Sequence, residues 1–271
     1  QCKSAIMLAA LKAPGITNIK AKKSRNHSEL LFKSLKLPIT VKKKKEFDYI
    51  QIRGNNDFDG FNYSVPGDIS SCSFFLVLTL LGNNSNLVIR NVNINHTRTG
   101  IITILNKMNA NIILQNKKIY KGELISDISV KSKSNLKAIN CPKSLNSSAI
   151  DEFLVIFLVA AKAEGVSKFY NLNELNKKES PRLNIAVNFL KKIGIKVNKK
   201  KNNIEIHGNP KLSLSGNFKV RNFSKDHRVF MMSCVAALVF GGNWKIYDKD
   251  STNTSFPNFF KLIKFLGGKI N

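Results

Sequence analysis

The chain has 271 residues, a formal net charge of +27 and a hydrophobic fraction of 43%. That length exceeds what one hydrophobic core usually serves, so two domains are expected, each with enough apolar residues to pack. The charge has the sign of a nucleic-acid binder, but the lysines are scattered rather than gathered with aromatics on one stripe, so no nucleic-acid partner is inferred.

From the N-terminus, "SAIMLAAL" (Ser4 to Leu11) reads as a short apolar helix. A strand in "PGITNIKA", an amphipathic helix in "SRNHSELLFKSL" and two strands in "PITVKKKKEFDYIQIRG" follow it. A second apolar helix, "SFFLVLTLL", leads into a strand in "SNLVIRNV", a helix in "TRTGIITILNKM" and a strand in "ANIILQNKKIY". The third, "FLVIFLVAA", precedes "GVSKFYNL", "SPRLNIAVNFLKKIG" and the strand pair of "IKVNKKKNNIEIHG". The fourth, "VFMMSCVAALVF", precedes "GNWKIYD", "SFPNFFKLIKFLG" and a final strand "KIN". The pattern is one helix-strand-helix-strand unit, usually with a further strand, repeated four times at roughly 70 to 85 residues per unit. The apolar helices are shorter than the ~18 residues needed to cross a bilayer and apolar nearly all round, so they are read as buried core helices and no membrane association is inferred.

Cys2, Cys72, Cys141 and Cys234 are far apart, with no CxxC pair and no His at metal spacing. Neither a zinc site nor a disulfide framework is signalled, and a reduced cytoplasmic protein is expected. The opening "QCKSAIMLAALKAPG" has the look of a signal-peptide core, but similar segments recur inside the chain and there is no initiator Met. A chain that begins part-way through a longer protein is expected instead.

Arginine is the informative cation here, because 37 of the 44 basic residues are Lys and only seven are Arg. Lys, Asn, Ile and Phe have AT-rich codons, so base composition accounts for most of the charge. An Arg retained against that drift marks a place where a planar bidentate fork matters. Arg25, Arg98 and Arg182 stand at the start of the second helix in successive units, and Arg228 opens the fourth apolar helix. Helix N-termini attract anions through free N–H groups and the helix dipole, so these arginines predict an anionic substrate. Asp151 and Glu179 each lead a helix of the third unit; if both starts face one cleft, two carboxylates meet a ring of cations, as proton transfer requires.

The ordered motifs "QCKSAIMLAALKAPG", "SRNHSELL", "VPGDISSCSFFLV", "NHTRTGIITILNKMNANI", "IDEFLVIFLVAAKAEG", "LNELNKKESPRL", "KDHRVFMMS" and "TSFPNFFKLIKFLGGKI" resemble those of the EPSP synthase family, in its class II bacterial form. The resemblance runs from Gln1 to the last residues and leaves about the first third of a family member unrepresented. It implies an α/β (α+β) enolpyruvyl transferase fold of βαβαββ-type units in two globular domains. Residues 1–94 would be the remaining half of the substrate-binding domain and 95–271 most of the second. It also implies transfer of the enolpyruvyl group of phosphoenolpyruvate to the 5-hydroxyl of shikimate 3-phosphate, with no metal or organic cofactor, by a full-length monomer.

By the same resemblance, Asp151 is the proton acceptor and a ligand of the shikimate hydroxyls, and Glu179 exchanges protons with the enolpyruvyl methylene. Gln1, Arg25 and Lys178 contact shikimate 3-phosphate, while Gln1, Arg182 and Arg228 contact phosphoenolpyruvate. Pro181 stands where the family has an Asp, which removes an acid placed to orient Arg182. The related UDP-N-acetylglucosamine enolpyruvyl transferases share the fold and the donor, but the "KES" and "SRNH" motifs point away from them. A basic RNA-binding protein or an inactive remnant on the same fold are the remaining alternatives.

Overall fold

A computed structural model describes residues 1–55, 57 and 59–270. The first unit contains α1 (Cys2–Ala10), β1 (Ile16–Lys22), α2 (His27–Ser34), β2 (Ile39–Lys43) and β3 (Phe47–Arg53). The second contains α3 (Ile69–Leu81), β4 (Asn86–Asn93), α4 (Gly100–Lys107), β5 (Ile112–Tyr120) and β6 (Glu123–Lys131). The third contains α5 (Phe153–Lys162), β7 (Val166–Phe169), α6 (Arg182–Lys192), β8 (Val197–Lys200) and β9 (Asn203–His207). The last contains β10 (Leu214–Val220), α7 (His227–Phe240), β11 (Gly241–Ile246) and α8 (Phe259–Phe265).

The first three units share one topology. Each places its last strand in the middle, in the orders β1-β3-β2, β4-β6-β5 and β7-β9-β8, with every pair antiparallel. The fourth differs: β10 and β11 form a parallel pair. Two of these strands, β6 and β10, escape the sequence reading. In β6, Ser126, Asp127 and Ser129 interrupt the apolar run, and in β10 Gly216 sits at positive φ within a register shift. The closing "KIN", expected as a strand, is irregular at Lys269 and Ile270, and Asn271 lies outside the described residues.

The repeat extends to atomic packing. Gly54 follows β3 and Gly208 follows β9, and each donates its N–H to the glycine at the head of its unit's first strand, Gly15 and Gly165, at 2.9 Å. A Cβ on Gly54 would lie 1.7 Å from the Ala13 carbonyl oxygen, and one on Gly208 2.0 Å from that of Ala163. Only glycine lets the sheet close onto the end of the apolar helix at these two places.

Burial is divided between two clusters. Met7, Ala10, Leu11, Ile19, Phe32, Leu37, Ile50 and Ile52 form the core of the first unit. The larger cluster runs from Ile69 to Ile263, and so includes Val92 of β4 on the near side of residue 94 as well as the units beyond it. At its centre α3, α5 and α7 pack on one another. They are apolar all round for that reason: Phe153 to Ala161 of α5 are buried without interruption. Each fully buried Phe, Leu, Ile or Val contributes about 1.5–3 kcal/mol, so these three helices hold the fold together. No helix among the described residues is long and apolar enough to cross a membrane.

This packing fixes where helix ends fall. Asp68 caps α3, its carboxylate accepting from the Ser71 N–H at 3.1 Å, which stabilises such a helix by about 1 kcal/mol. Asp226 caps α7, accepting from the Arg228 and Val229 N–H groups at 2.9 and 3.4 Å. The starts of α5, α6 and α7, and that of α2 from the first unit, contribute to one group of charged side chains.

Candidate active site

Asp151 lies ahead of α5, whose N-cap is Glu152, and four cations surround its carboxylate. Arg25, just ahead of α2, reaches Oδ2 at 2.6 Å, and Lys178 reaches Oδ1 at 3.2 Å. Arg182, the first residue of α6, lies 3.7 Å from Oδ1, and Arg228 in the first turn of α7 lies 3.9 Å from Oδ2. Arg228 also donates from Nη1 to the Asp151 backbone carbonyl at 3.1 Å. Burial works to raise the Asp151 pKa, but Arg228, the Arg25 hydrogen bond and Lys178 outweigh it and hold the group well below the usual carboxylate range.

Arg182 is the most enclosed member, with 1% of its side chain exposed. Its Nε donates to Asp226 Oδ2 at 2.8 Å and its Nη2 to Asp226 Oδ1 at 3.2 Å, a bidentate pair. Nη2 also meets Glu179 Oε2 at 2.5 Å, and the Ser180 hydroxyl donates to Asp226 at 2.8 Å. Pro181 therefore does not leave Arg182 without an orienting acid. The acid comes from Asp226, far along the chain, and from Glu179 one turn before. Proline costs little there, because an N–H at the start of α6 has no intrahelical acceptor, while the Pro181 carbonyl still accepts from Ile185 at 3.0 Å. Burial works to raise the Asp226 pKa, but the Arg182 hydrogen bond and charge, with the Ser180 hydroxyl and the Arg228 N–H, together hold it below its ordinary value.

Six of the eight residues singled out by sequence meet in one network: Arg25, Asp151, Lys178, Glu179, Arg182 and Arg228. Gln1, at the start of α1, is exposed and takes no part in these contacts. Its helix reaches the network through Lys3, which donates to the Arg25 carbonyl at 2.8 Å and pairs with Glu29 at 2.6 Å. Four cations meet Asp151, Glu179 and Asp226, and the positive ends of three helices add to their field. Glu179 stands at the solvent side, with 55% of its side chain exposed. The arrangement can hold an anion with several charges against a carboxylate and present a second, accessible carboxylate to it.

A second chain of contacts lies beside this one and has no counterpart in the sequence reading. Buried Glu152 accepts a very short hydrogen bond from the Ser70 hydroxyl. Ser70 in turn accepts from Arg98 Nη2 at 2.6 Å, and the same nitrogen lies 2.7 Å from Asp68. Arg98, grouped by sequence with the anion holders, is thus paired inside the second and third units. Burial pushes the Glu152 pKa up to about 7, against the opposing pull of Ser70 and Arg228. His227 falls below its usual pKa through burial and the neighbouring Arg228 and Arg182. Among the described residues no group of three or more His, Cys, Asp or Glu is arranged to hold a metal ion.

Comparison with known proteins gives this geometry a context. The family model described as EPSP synthase (3-phosphoshikimate 1-carboxyvinyltransferase) matches residues 1–263. A 3-phosphoshikimate 1-carboxyvinyltransferase of Zymomonas mobilis is 38% identical over 272 aligned positions, which cover 99% of this chain and 60% of that protein. One from a Thermoanaerobacter strain is 39% identical over 98% of this chain and 61% of its own length. The chain thus spans about three fifths of the length of the curated relatives it matches. Among solved structures, an EPSP synthase from Acinetobacter baumannii superposes with a TM-score of 0.88 at 34% identity, covering 97% of this chain and 59% of that one. The enolpyruvyl transferase NikO from Streptomyces tendae superposes with a TM-score of 0.71 at 13% identity over 98% of this chain and 58% of its own, and shares the fold.

Proposed function

The chain belongs to the EPSP synthase family, and from that membership we propose that it serves transfer of the enolpyruvyl group from phosphoenolpyruvate to the 5-hydroxyl of shikimate 3-phosphate, with release of phosphate. The observation that carries this reading is the convergence of Arg25, Lys178, Arg182 and Arg228 on Asp151, with Glu179 beside them at the open side. Both substrates are phosphorylated anions, and preorganised guanidinium and ammonium groups are the donors such anions need.

In this reading Arg25 and Lys178 hold shikimate 3-phosphate, and Arg182 and Arg228 hold phosphoenolpyruvate. Arg182 is set by Asp226 and so presents a fixed fork. The acceptor hydroxyl oxygen attacks C2 of phosphoenolpyruvate while C3 takes a proton, giving a tetrahedral intermediate; C3 then returns a proton as phosphate leaves C2. Glu179 is assigned the proton traffic at C3, and Asp151 that at the hydroxyl. Asp151 is a weak base while four cations surround it. Substrate phosphate and carboxylate groups would draw those cations off, removing the cause of its low pKa as the acceptor arrives. Gln1 is assigned to both substrates on family grounds alone.

The division of the hydrophobic cores favours a domain boundary in the 55–68 connection rather than after residue 94. The first unit then belongs to one domain and the following three to the other, with Arg25 contributed across the cleft to Asp151. The four free cysteines, three of them buried, agree with a reducing cytoplasmic setting.

Calorimetric titration of the chain with shikimate 3-phosphate tests the assignment, with UDP-N-acetylglucosamine as control. Binding of the first and not the second is expected, and binding of the sugar nucleotide alone would transfer the site to the related enolpyruvyl transferases.

A further inference from the structure

Glu152 is a carboxylate with 3% of its surface exposed, set at the N-cap of α5 among α3, α4 and α7. A carboxylate so deep is costly to keep unless a particular contact needs it. Its contact is with Ser70 in the first turn of α3, itself 1% exposed, and Ser70 is held by Arg98 Nη2 at 2.6 Å from ahead of α4. The same Nη2 also meets Asp68, the cap of α3, at 2.7 Å. One chain of hydrogen bonds thus ties together the starts of α3, α4 and α5. The next residue back along the main chain is Asp151, whose carboxylate and carbonyl take up Arg25, Lys178, Arg182 and Arg228.

We propose that Glu152 is a positioning residue of the anion site: through Ser70 and Arg98 it fixes the start of α5, so that Asp151 stands at the centre of the four cations. A second consequence follows from its charge. Glu152 faces Asp151 on its own helix start, Arg98 from ahead of α4 and Arg228 from α7. Arg182 on α6 is already taken up by Asp226, Asp68 on α3 by Arg98, and His227 on α7 is held toward its neutral form. Ionised Glu152 therefore offsets the positive charge that Arg228 and Arg98 present, and neutral Glu152 leaves it intact. Its titration falls near neutral pH, with burial as the cause. Anion affinity should accordingly fall as pH rises through that range, with one proton released from Glu152 per site.

This inference rests on reading the cluster as an anion site, and not on the identity of the substrates. Sulfate is the probe, because it does not change charge near neutral pH, and the folded chain is titrated by calorimetry at constant ionic strength. Between about pH 6 and about pH 8 the wild type should lose sulfate affinity by about fivefold, most of the limit of about tenfold that one unit of coupled pKa shift sets. Glu152→Gln keeps an acceptor for Ser70 without a charge, and should bind sulfate at the low-pH level throughout. Glu152→Ala, which removes charge and tie together, should bind more weakly than Glu152→Gln at every pH. Ser70→Ala leaves the carboxylate and removes the tie, and should weaken binding while keeping the pH dependence; it carries the positional test if the Glu152→Ala chain does not fold. The proposal is overturned if Glu152→Gln follows the wild-type pH dependence, if Ser70→Ala binds as wild type and folded Glu152→Ala as Glu152→Gln, or if the folded wild type takes up no sulfate. Each of these results leaves the transfer reaction to be judged separately, by phosphate release.

Discussion

Arg182 and Asp226 are 44 residues apart in sequence and buried against each other, Nε to Oδ2 at 2.8 Å and Nη2 to Oδ1 at 3.2 Å. The same carboxylate accepts the Arg228 N–H at 2.9 Å at the start of α7. One acid therefore orients the first arginine by its side chain and the second by its backbone. Replacing Asp226 with Ala would strand a buried guanidinium and remove a helix cap, and a loss of about 3–5 kcal/mol in urea denaturation is expected. Asn at this position still caps the helix and should cost less than Ala. A fully stable Ala variant would mean that Glu179 and Asp151 suffice to hold Arg182.

Stability should depend on pH with two opposite signs. Asp151 and Asp226 have folded pKa values below the unfolded value of about 3.9, so their contribution is complete above that pH and disappears as pH falls further. Glu152 is raised to about 7, so the folded state favours its proton, and stability is lost as pH rises from the ordinary glutamate range toward about 7. On the order of 1–3 kcal/mol should be lost between about pH 5 and about pH 8 through Glu152. Glu152→Gln should remove that decline in urea midpoints compared at the two pH values. An unchanged decline in the variant would assign it to other groups.

Arg182 and Arg228 should respond differently to truncation. Arg228→Ala removes a partly accessible donor, and phosphoenolpyruvate affinity should fall about 10- to 100-fold, the range for a hydrogen bond to a charged group, with little change in thermal midpoint. Arg182→Ala should lower both affinity and midpoint, because it leaves Asp226 buried and unpaired. Equal thermal midpoints for the two variants would show that the burial of Arg182 has no structural weight.

Much of this site is legible in the sequence because it sits at helix starts, where caps, prolines and stray arginines stand out. Arg25 and Arg182 are visible as rare arginines at repeated positions, Arg228 as a rare arginine opening an apolar helix, and Asp151 and Glu179 as acids ahead of helices. The partner of Arg182 is not visible from Pro181 outward, since the contact is made across tertiary space by a residue that reads locally as an N-cap. Glu152 is hidden for a related reason: beside Asp151 it has the same local signature, and only packing against α3 turns it inward. The units are legible through their apolar helices, whereas β6 and β10 are not, because polar residues and a glycine bulge interrupt their alternation. The boundary near residue 94 comes from resemblance, whereas the one proposed in the 55–68 connection rests on how the buried side chains divide into two clusters.

Glu179 is exposed and pairs with the buried Arg182, and Gln keeps an acceptor for that guanidinium, so Glu179→Gln should lower stability by about 1 kcal/mol or less. If Glu179 carries the proton to and from C3, the same substitution should lower turnover by about 10²–10⁴-fold with substrate affinity retained.

The most direct test is phosphate release from phosphoenolpyruvate in the presence of shikimate 3-phosphate, measured on the protein extended to the length of its relatives. Release that needs both substrates and is lost in Glu179→Gln and Asp151→Asn is the expected result. No release at any enzyme concentration, or release by both variants at the wild-type rate, would contradict the assignment of this cluster as the site of enolpyruvyl transfer.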